Sequence, residues 1–121
     1  MKNILTRSAM LICGAVVAVV SLNAIAAGDV DMGKSLVQKY SCAACHGKDF
    51  NAPIDPSYPK LAGQHQDYLQ HALIAYRRGN EAMNGRTNAI MGAQAKALTD
   101  RDIENIAAYL HSLPGALVLR K

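Results

Sequence analysis

The stretch SCAACHG at residues 41–47 constrains this chain more than any other feature. It places Cys42 and Cys45 three positions apart and puts His46 directly after the second thiol. A disulfide between the two would close a very tight loop, which constrains little of the unfolded chain and adds little stability. A thioredoxin-like redox site would need this spacing in a β-α-β setting, and no segment alternates apolar and polar residues as a strand would. Zinc would need a fourth ligand, and the sequence holds no second C-x-x-C and no H-x-x-x-H motif.

Haem attachment requires the groups that the motif supplies. Two thiols along one helical turn can form thioethers with the two vinyl groups, and the adjacent imidazole can then face the iron. We therefore predict one haem c, bound covalently through Cys42 and Cys45, with His46 as an axial ligand. A disulfide or a thiol redox site is the alternative.

The start of the chain has the pattern of an export signal. Lys2 and Arg7 precede the apolar stretch MLICGAVVAVV (10–20), and AIA at 24–26 fits the small-x-small pattern of signal peptidase cleavage. We predict a cleavable secretory signal peptide over residues 1–26, followed by one domain over residues 27–121. An uncleaved membrane anchor is the alternative, because the uncharged run 8–28 is just long enough to span a bilayer.

Cleavage would leave roughly 95 residues, a length at which a small core is marginal without a staple or a large apolar cofactor. The formal net charge of the whole chain is +4. Without Lys2 and Arg7 it falls to about +2, and the remaining basic residues are scattered. This charge pattern argues against nucleic acid as a partner.

Apolar residues at helical spacing predict three helices, from Asp31 to about Cys42, from Gln64 to Arg78, and from Thr99 to the Pro114-Gly115 stop. In the third, Asp102 follows Thr99 at the spacing of a short capping box. A further helical piece is expected over 94–98.

Two segments between these helices are predicted to be loops. Residues 47–63 contain Pro53, Pro56 and Pro59, and residues 80–92 are polar and punctuated by glycine. Neither has a helix or strand period. We expect both to be ordered against the haem, and we expect residues 47–63 to be held by something other than their own hydrogen bonds.

The second axial ligand has several candidates. A methionine thioether would raise the reduction potential and keep the iron six-coordinate, as a carrier of single electrons requires. Met1 and Met10 leave with the signal, and Met32 is expected in the core of the first helix. The methionines that remain are Met83 and Met91, and the rival histidines are His65, His71 and His111.

The segments SCAACHG, YPKLAGQ, YRRG, RTNAIM and LTDRDIENIAAYLHSL occur in this order. Together they resemble a small class I cytochrome c of the bacterial periplasm, especially the units that occur singly or as tandem halves of dihaem cytochromes. The resemblance extends from Asp29 to Leu113. It implies an all-α class I cytochrome c fold, with three to five helices packed around one covalently bound haem.

The resemblance also implies roles for single residues. The family's methionine ligand stands eight residues before the Ser or Thr that caps the C-terminal helix, and Met91 stands eight before Thr99. This favours Met91 over Met83, which lies in an apparent insertion, NEAMN. Pro59 matches the proline whose carbonyl accepts a hydrogen bond from the ligand histidine, although it could simply stiffen its loop.

Two further pairs follow from the resemblance. Arg86 and Asn88 lie in the segment leading to Met91, where they could pair with a haem propionate or bond near the sulfur, or be solvated. Gly33 and Tyr109 match the positions at which the family's first and last helices cross. We expect both of these to be structural.

The resemblance implies a periplasmic electron carrier, not an enzyme, that docks transiently with periplasmic or membrane-bound redox proteins and takes no small-molecule substrate. The expected docking surface surrounds an exposed haem edge near Lys48, Lys60, Ala44 and Gln64. Two alternatives remain open: a cytochrome subunit of a larger periplasmic oxidoreductase, and a catalytic or gas-binding haem with an open sixth position.

Overall fold

The computed structural model describes residues 28–116, and the predicted signal peptide over 1–26 lies outside these described residues. Five α-helices follow one another, and no strand occurs within this range. They are α1 (Val30–Lys39), α2 (Ala43–His46), α3 (Gln66–Arg78), α4 (Ala89–Lys96) and α5 (Asp100–Ser112), with a short 3-10 helix at Gly79–Glu81. The all-α prediction is therefore confirmed.

The first and last helices cross at Gly33. A Cβ at this position would lie 2.0 Å from the carbonyl oxygen of Asn105 and 2.7 Å from Cβ of Tyr109, so α1 and α5 approach as closely as their backbones allow. The Asn105 side chain is buried, and its Oδ1 accepts a hydrogen bond of 2.8 Å from the Asp29 amide. The close approach at Gly33 and Tyr109 confirms that the first and last helices cross there, as expected.

The first helix ends before the thiols, although it was predicted to run into them. Ser41 takes a left-handed conformation with φ 54°. Its amide donates to the Gln38 carbonyl, and the Cys42 amide donates to that of Val37. This pattern is a Schellman motif, which satisfies the last carbonyls of α1 and turns the chain so that Cys42 can begin α2.

The expectation that Met32 belongs to the core is wrong, because 52% of its surface is exposed. The buried positions of α1 are Gly33, Leu36 and Val37. Successive helical residues are turned by about 100°, so the face that points Gly33 at α5 leaves Met32 in the first turn facing outward.

Residues 47–63 contain no helix or strand, as predicted, but they do use hydrogen bonds of their own. The carbonyl of Phe50 accepts from the amides of Leu61 and Ala62, and the carbonyl of Cys45 accepts from that of Ile54. The loop is thus partly held by its own backbone, contrary to the expectation from sequence.

The segment 80–92 is not wholly a loop. Helix α4 begins at Ala89 because the Asn88 side chain accepts a hydrogen bond from the Met91 amide, which caps the helix. The glycine-punctuated composition gave no sign of this cap. Of the predicted helical piece over 94–98, residues 94–96 form the end of this longer helix and residues 97–98 lie beyond it. At α5 both halves of the predicted capping box between Thr99 and Asp102 are present.

The core lies between α1, α3 and α5 and beneath the 47–63 loop. Its buried residues are Leu36, Val37, Phe50, Ala62, Leu69, Leu98, Ile103, Ile106, Ala107 and Leu110. None of the helices within residues 28–116 is long and apolar enough to cross a membrane.

Candidate haem-binding site

A cavity of about 250 Å³ opens beside this core. Cys42, Cys45, His46 and Met91 all line it. Its remaining walls are largely apolar, with contributions from Leu61, Leu69, Ala72, Leu73, Leu98, Ile106 and Leu110. The fold therefore brings both thiols, an imidazole and a thioether to one apolar space.

The imidazole of His46 is buried, with 7% of the residue exposed. Its Nδ1 lies 3.0 Å from the carbonyl oxygen of Pro59. A carbonyl can only accept, so Nδ1 carries the proton and donates it, and Nε2 is the nitrogen left with a free lone pair. The ring of Tyr58 lies 6.3 Å from that of His46, centroid to centroid. The hydrogen bond to Pro59 holds the imidazole in the tautomer that a metal ligand needs.

The two thiols are half-buried and free in the described part of the chain. Cys42 stands at the start of α2 and Cys45 lies on its single turn, so that one short helix presents Cys45 and His46 together. Burial raises the pKa of the Cys42 thiol above its ordinary value. The geometry follows from the spacing in the sequence.

The two methionine candidates have very different surroundings. Met91 lies in the first turn of α4, is partly buried and lines the cavity. Met83 is fully exposed, at 101% of its reference surface, and is absent from the cavity lining.

The rival histidines are also absent from the cavity lining within residues 28–116. His65 immediately precedes α3, His71 lies exposed on that helix, and Nδ1 of His111 lies 2.8 Å from the Gln64 carbonyl. None of the three lies beside the thiols.

Arg86 and Asn88 both line the cavity, but their side chains differ in what they contact. Asn88 is occupied in capping α4, so it acts on Met91 through the backbone. The guanidinium of Arg86 lies over the rings of Tyr68 and Tyr76, at 5.4 Å and 5.6 Å from their centroids. A long hydrogen bond to the Tyr68 hydroxyl raises the pKa of Arg86 above its ordinary value.

Sequence reasoning missed the tyrosines as lining residues. Tyr58, Tyr68 and Tyr76 all border the cavity. Tyr68 and Tyr76 were treated only as part of an apolar helix stripe, although a spacing of eight residues places both on one face of α3. Among the described lining residues, the charged ones are Lys60 and Arg86, both cationic.

These residues suit haem c. The cavity offers one imidazole with a free nitrogen and one thioether as candidate iron ligands, the thiols stand in the attachment spacing, and apolar walls surround them. The cations at the cavity suit the carboxylates of a haem. Fold and site together define a small, all-helical c-type haem protein.

Comparison with known proteins agrees with this class. The sequence matches the family described as Cytochrome c over residues 30–114, and the chain belongs to that family. It binds haem c covalently through Cys42 and Cys45, and the family's function is haem-based electron transfer.

Among its relatives, cytochrome c-554(548) of Halomonas halodenitrificans is 41% identical over 86 residues, which cover 71% of this chain and 98% of that protein. The cytochrome subunit of sulfide dehydrogenase of Chlorobaculum tepidum is 37% identical over 73 residues, 60% of each chain. The crystal structure of reduced recombinant cytochrome c4 from Pseudomonas stutzeri superposes with a TM-score of 0.66 at 38% identity. That match covers 75% of this chain and 48% of cytochrome c4. The chain shares the class I cytochrome c fold of that structure. The chain thus corresponds to a single unit of the dihaem cytochromes.

Proposed function

We propose that this protein is a periplasmic electron carrier whose haem iron is held by His46 and Met91, and which passes single electrons between redox protein partners. The observation that carries the proposal is that the two side chains line one cavity together with both attachment thiols. When bound, the haem supplies reversible one-electron chemistry at iron.

The chain's own residues have distinct tasks in this proposal. Cys42 and Cys45 anchor the group by thioethers, which hold it in place in both oxidation states. The Pro59 carbonyl accepts a hydrogen bond from the Nδ1–H of His46, which restrains rotation of the ring and leaves Nε2 available to the iron. Asn88 caps α4 and thereby positions Met91.

Arg86 and Lys60 are the cations that we assign to the haem carboxylates. Within residues 28–116 no carboxylate forms an ion pair with either side chain. Burying a carboxylate without a partner is costly, and a guanidinium can bind it through two parallel hydrogen bonds. The apolar walls of the cavity would limit the access of water to the haem, so that electron transfer would require little rearrangement.

Export is part of the same proposal. Residues 1–26 act as a cleaved signal peptide, so that residues 27–121 form the mature domain in the periplasm. The motif for covalent haem attachment and the pattern of the first 26 residues support this together. Mass spectrometry of the mature protein tests it: a chain beginning at residue 27 is expected, and one retaining the apolar stretch would show an anchor instead.

The axial ligands can be tested with a matched pair of variants, Met91→Ala and Met83→Ala, matured in a host periplasm. Wild type is expected to show a low-spin spectrum with the weak absorption band from sulfur to ferric iron. Met91→Ala should lose that band and bind carbon monoxide when reduced, whereas Met83→Ala should behave as wild type because its side chain lies in solvent. A band that survives in Met91→Ala, or carbon monoxide binding by wild type, would favour a different or open sixth position.

A second candidate function is that of a cytochrome subunit held in a larger oxidoreductase. The 37% identity to the cytochrome subunit of sulfide dehydrogenase favours it. The mobile carrier is preferred because the region similar to this chain covers 98% of cytochrome c-554(548), whereas it covers only 60% of the sulfide dehydrogenase subunit. Purification of the untagged protein from its own host distinguishes the two, because a subunit would co-purify with a stoichiometric partner.

A further inference from the structure

Arg86 is held by two tyrosines of a neighbouring helix. Its guanidinium lies within 6 Å of the centroids of both Tyr68 and Tyr76, the range in which a cation is attracted to the face of an aromatic ring. One of its nitrogens, Nη2, also lies 3.5 Å from the Tyr68 hydroxyl, a long contact. The side chain is half-buried, so these contacts are partly shielded from solvent.

The backbone at Arg86 is anchored to the same helix. Its amide donates a hydrogen bond of 2.9 Å to the carbonyl of Ala75, which lies next to Tyr76 on α3. The preceding residues turn away from α3, and the Gly85 amide closes that turn on the Ala82 carbonyl. Arg86 is thus the residue at which the chain contacts α3 again after the turn at residues 82–85.

The segment that follows Arg86 leads directly to the proposed sulfur ligand. Asn88 caps α4 by accepting from the Met91 amide, and Gly92 donates to the Asn88 carbonyl. Helix α4 itself packs on α3. Only residue 87 separates Arg86 from the Asn88 cap, so a movement of residue 86 away from α3 would be transmitted to the capped first turn of α4, which carries Met91.

We propose that Arg86, clamped between Tyr68 and Tyr76, is a positioning residue that retains Met91 on the iron. This rests on the proposed function, because it assumes that Met91 is the sixth ligand. The clamp acts by keeping the segment from Arg86 to Met91 against α3, which makes displacement of the sulfur by an outside ligand less favourable. This is separate from the pairing of Arg86 with a haem carboxylate, which needs the charge but not the two rings.

The test is a titration of the ferric, haem-loaded protein with imidazole. Binding is measured by the loss of the sulfur-to-iron absorption band. Four proteins form a cycle: wild type, Arg86→Gln, Tyr76→Leu and the double variant. Each single variant should bind imidazole about tenfold more tightly than wild type, the change expected when the contact of a cation with one exposed and one half-buried ring is disrupted. The double variant should gain little beyond either single variant, because both remove the same clamp.

Two further variants keep the test decisive. Arg86→Lys retains the charge but loses the planar group that spans both rings, so it should bind imidazole more tightly than wild type does. Arg78→Gln removes an exposed arginine at the end of α3 and should match wild type.

The outcomes separate the clamp from the function on which it rests. Imidazole affinities equal to wild type in Arg86→Gln and Arg86→Lys, with a shifted reduction potential in Arg86→Gln alone, would overturn the clamp and leave only the carboxylate pairing. Additive effects in the cycle would also overturn it. A wild type without the sulfur band would overturn both the Met91 assignment and the clamp.

Discussion

Replacing Gly33 with alanine should damage the protein more than a single added methyl group normally does. The new Cβ would lie 2.0 Å from the Asn105 carbonyl oxygen and 2.7 Å from Cβ of Tyr109. Non-bonded heavy atoms rest at roughly 3.5 Å, so α1 and α5 must separate by on the order of 1 Å. The obstacle is largely backbone, which cannot rotate away as a side chain could.

The magnitude follows from two opposing effects. Overpacking of a closely packed contact costs about 1–3 kcal/mol, and the upper end applies where the neighbour is rigid. Alanine is preferred over glycine within a helix by about 1 kcal/mol, which offsets part of this cost. We therefore expect Gly33→Ala to lower the free energy of unfolding by about 2 kcal/mol. Because α1 leads through Ser41 into Cys42, the yield of haem attachment should fall as well.

Gly92→Ala is the matched control. Gly92 also lies within a helix, but a Cβ there would meet only the Tyr76 carbonyl oxygen, at 3.7 Å, an ordinary contact. Helix propensity alone then applies, and stability should rise by up to about 1 kcal/mol. Guanidinium unfolding of the haem-loaded proteins, followed by circular dichroism, measures both changes. If Gly33→Ala is as stable as wild type, the close helix crossing is not as the structure describes it.

Two further predictions concern the segments on either side of the haem motif. Ser41→Gly should stabilise the protein by up to about 1 kcal/mol in the same unfolding assay, because Ser41 has the left-handed φ of 54° that glycine adopts without strain; a loss of stability would contradict the Schellman geometry. The amides of Asn51 and Ala52 lower the pKa of the Asp49 carboxyl, so its stabilising contribution should be present above the unfolded-state pKa and disappear as pH falls through the folded value. Titration of the carboxyl groups by NMR should find the lowered pKa of Asp49. The variant Asp49→Asn should lose this part of the dependence of stability on acid pH. An ordinary pKa for Asp49 would contradict the two hydrogen bonds.

Much of the site was accessible from the sequence because it depends on local spacing. Two thiols and an imidazole within one helical turn determine their own relative positions, and a cap at Thr99 with its partner at Asp102 is equally local. The rank of Met91 above Met83 came from its distance to that cap, which the family resemblance implies. The structure places Met91 half-buried in the cavity lining and Met83 in solvent, and the ligand assignment stays a prediction.

Where sequence reasoning failed, a local backbone conformation or a contact between distant segments decided the outcome. The first helix stops at Lys39 because Ser41 takes a left-handed conformation, which a serine in the sequence does not predict. Met32 is exposed because Gly33 takes the contact with α5, and that partner lies more than 70 positions along the chain.

The sequence by itself determined the cofactor, the anchoring thiols and the helical class, since each depends on residues close together in the chain. Only the tertiary structure decided how the segment that leads to Met91 is placed against α3. Tyr68 and Tyr76 lie on α3 and Arg86 lies in the segment before α4, and no periodicity relates a loop arginine to the face of a neighbouring helix. Packing of α4 on α3 brings them together, because the free energy of burying apolar surface depends on the fold as a whole and not on the order of residues.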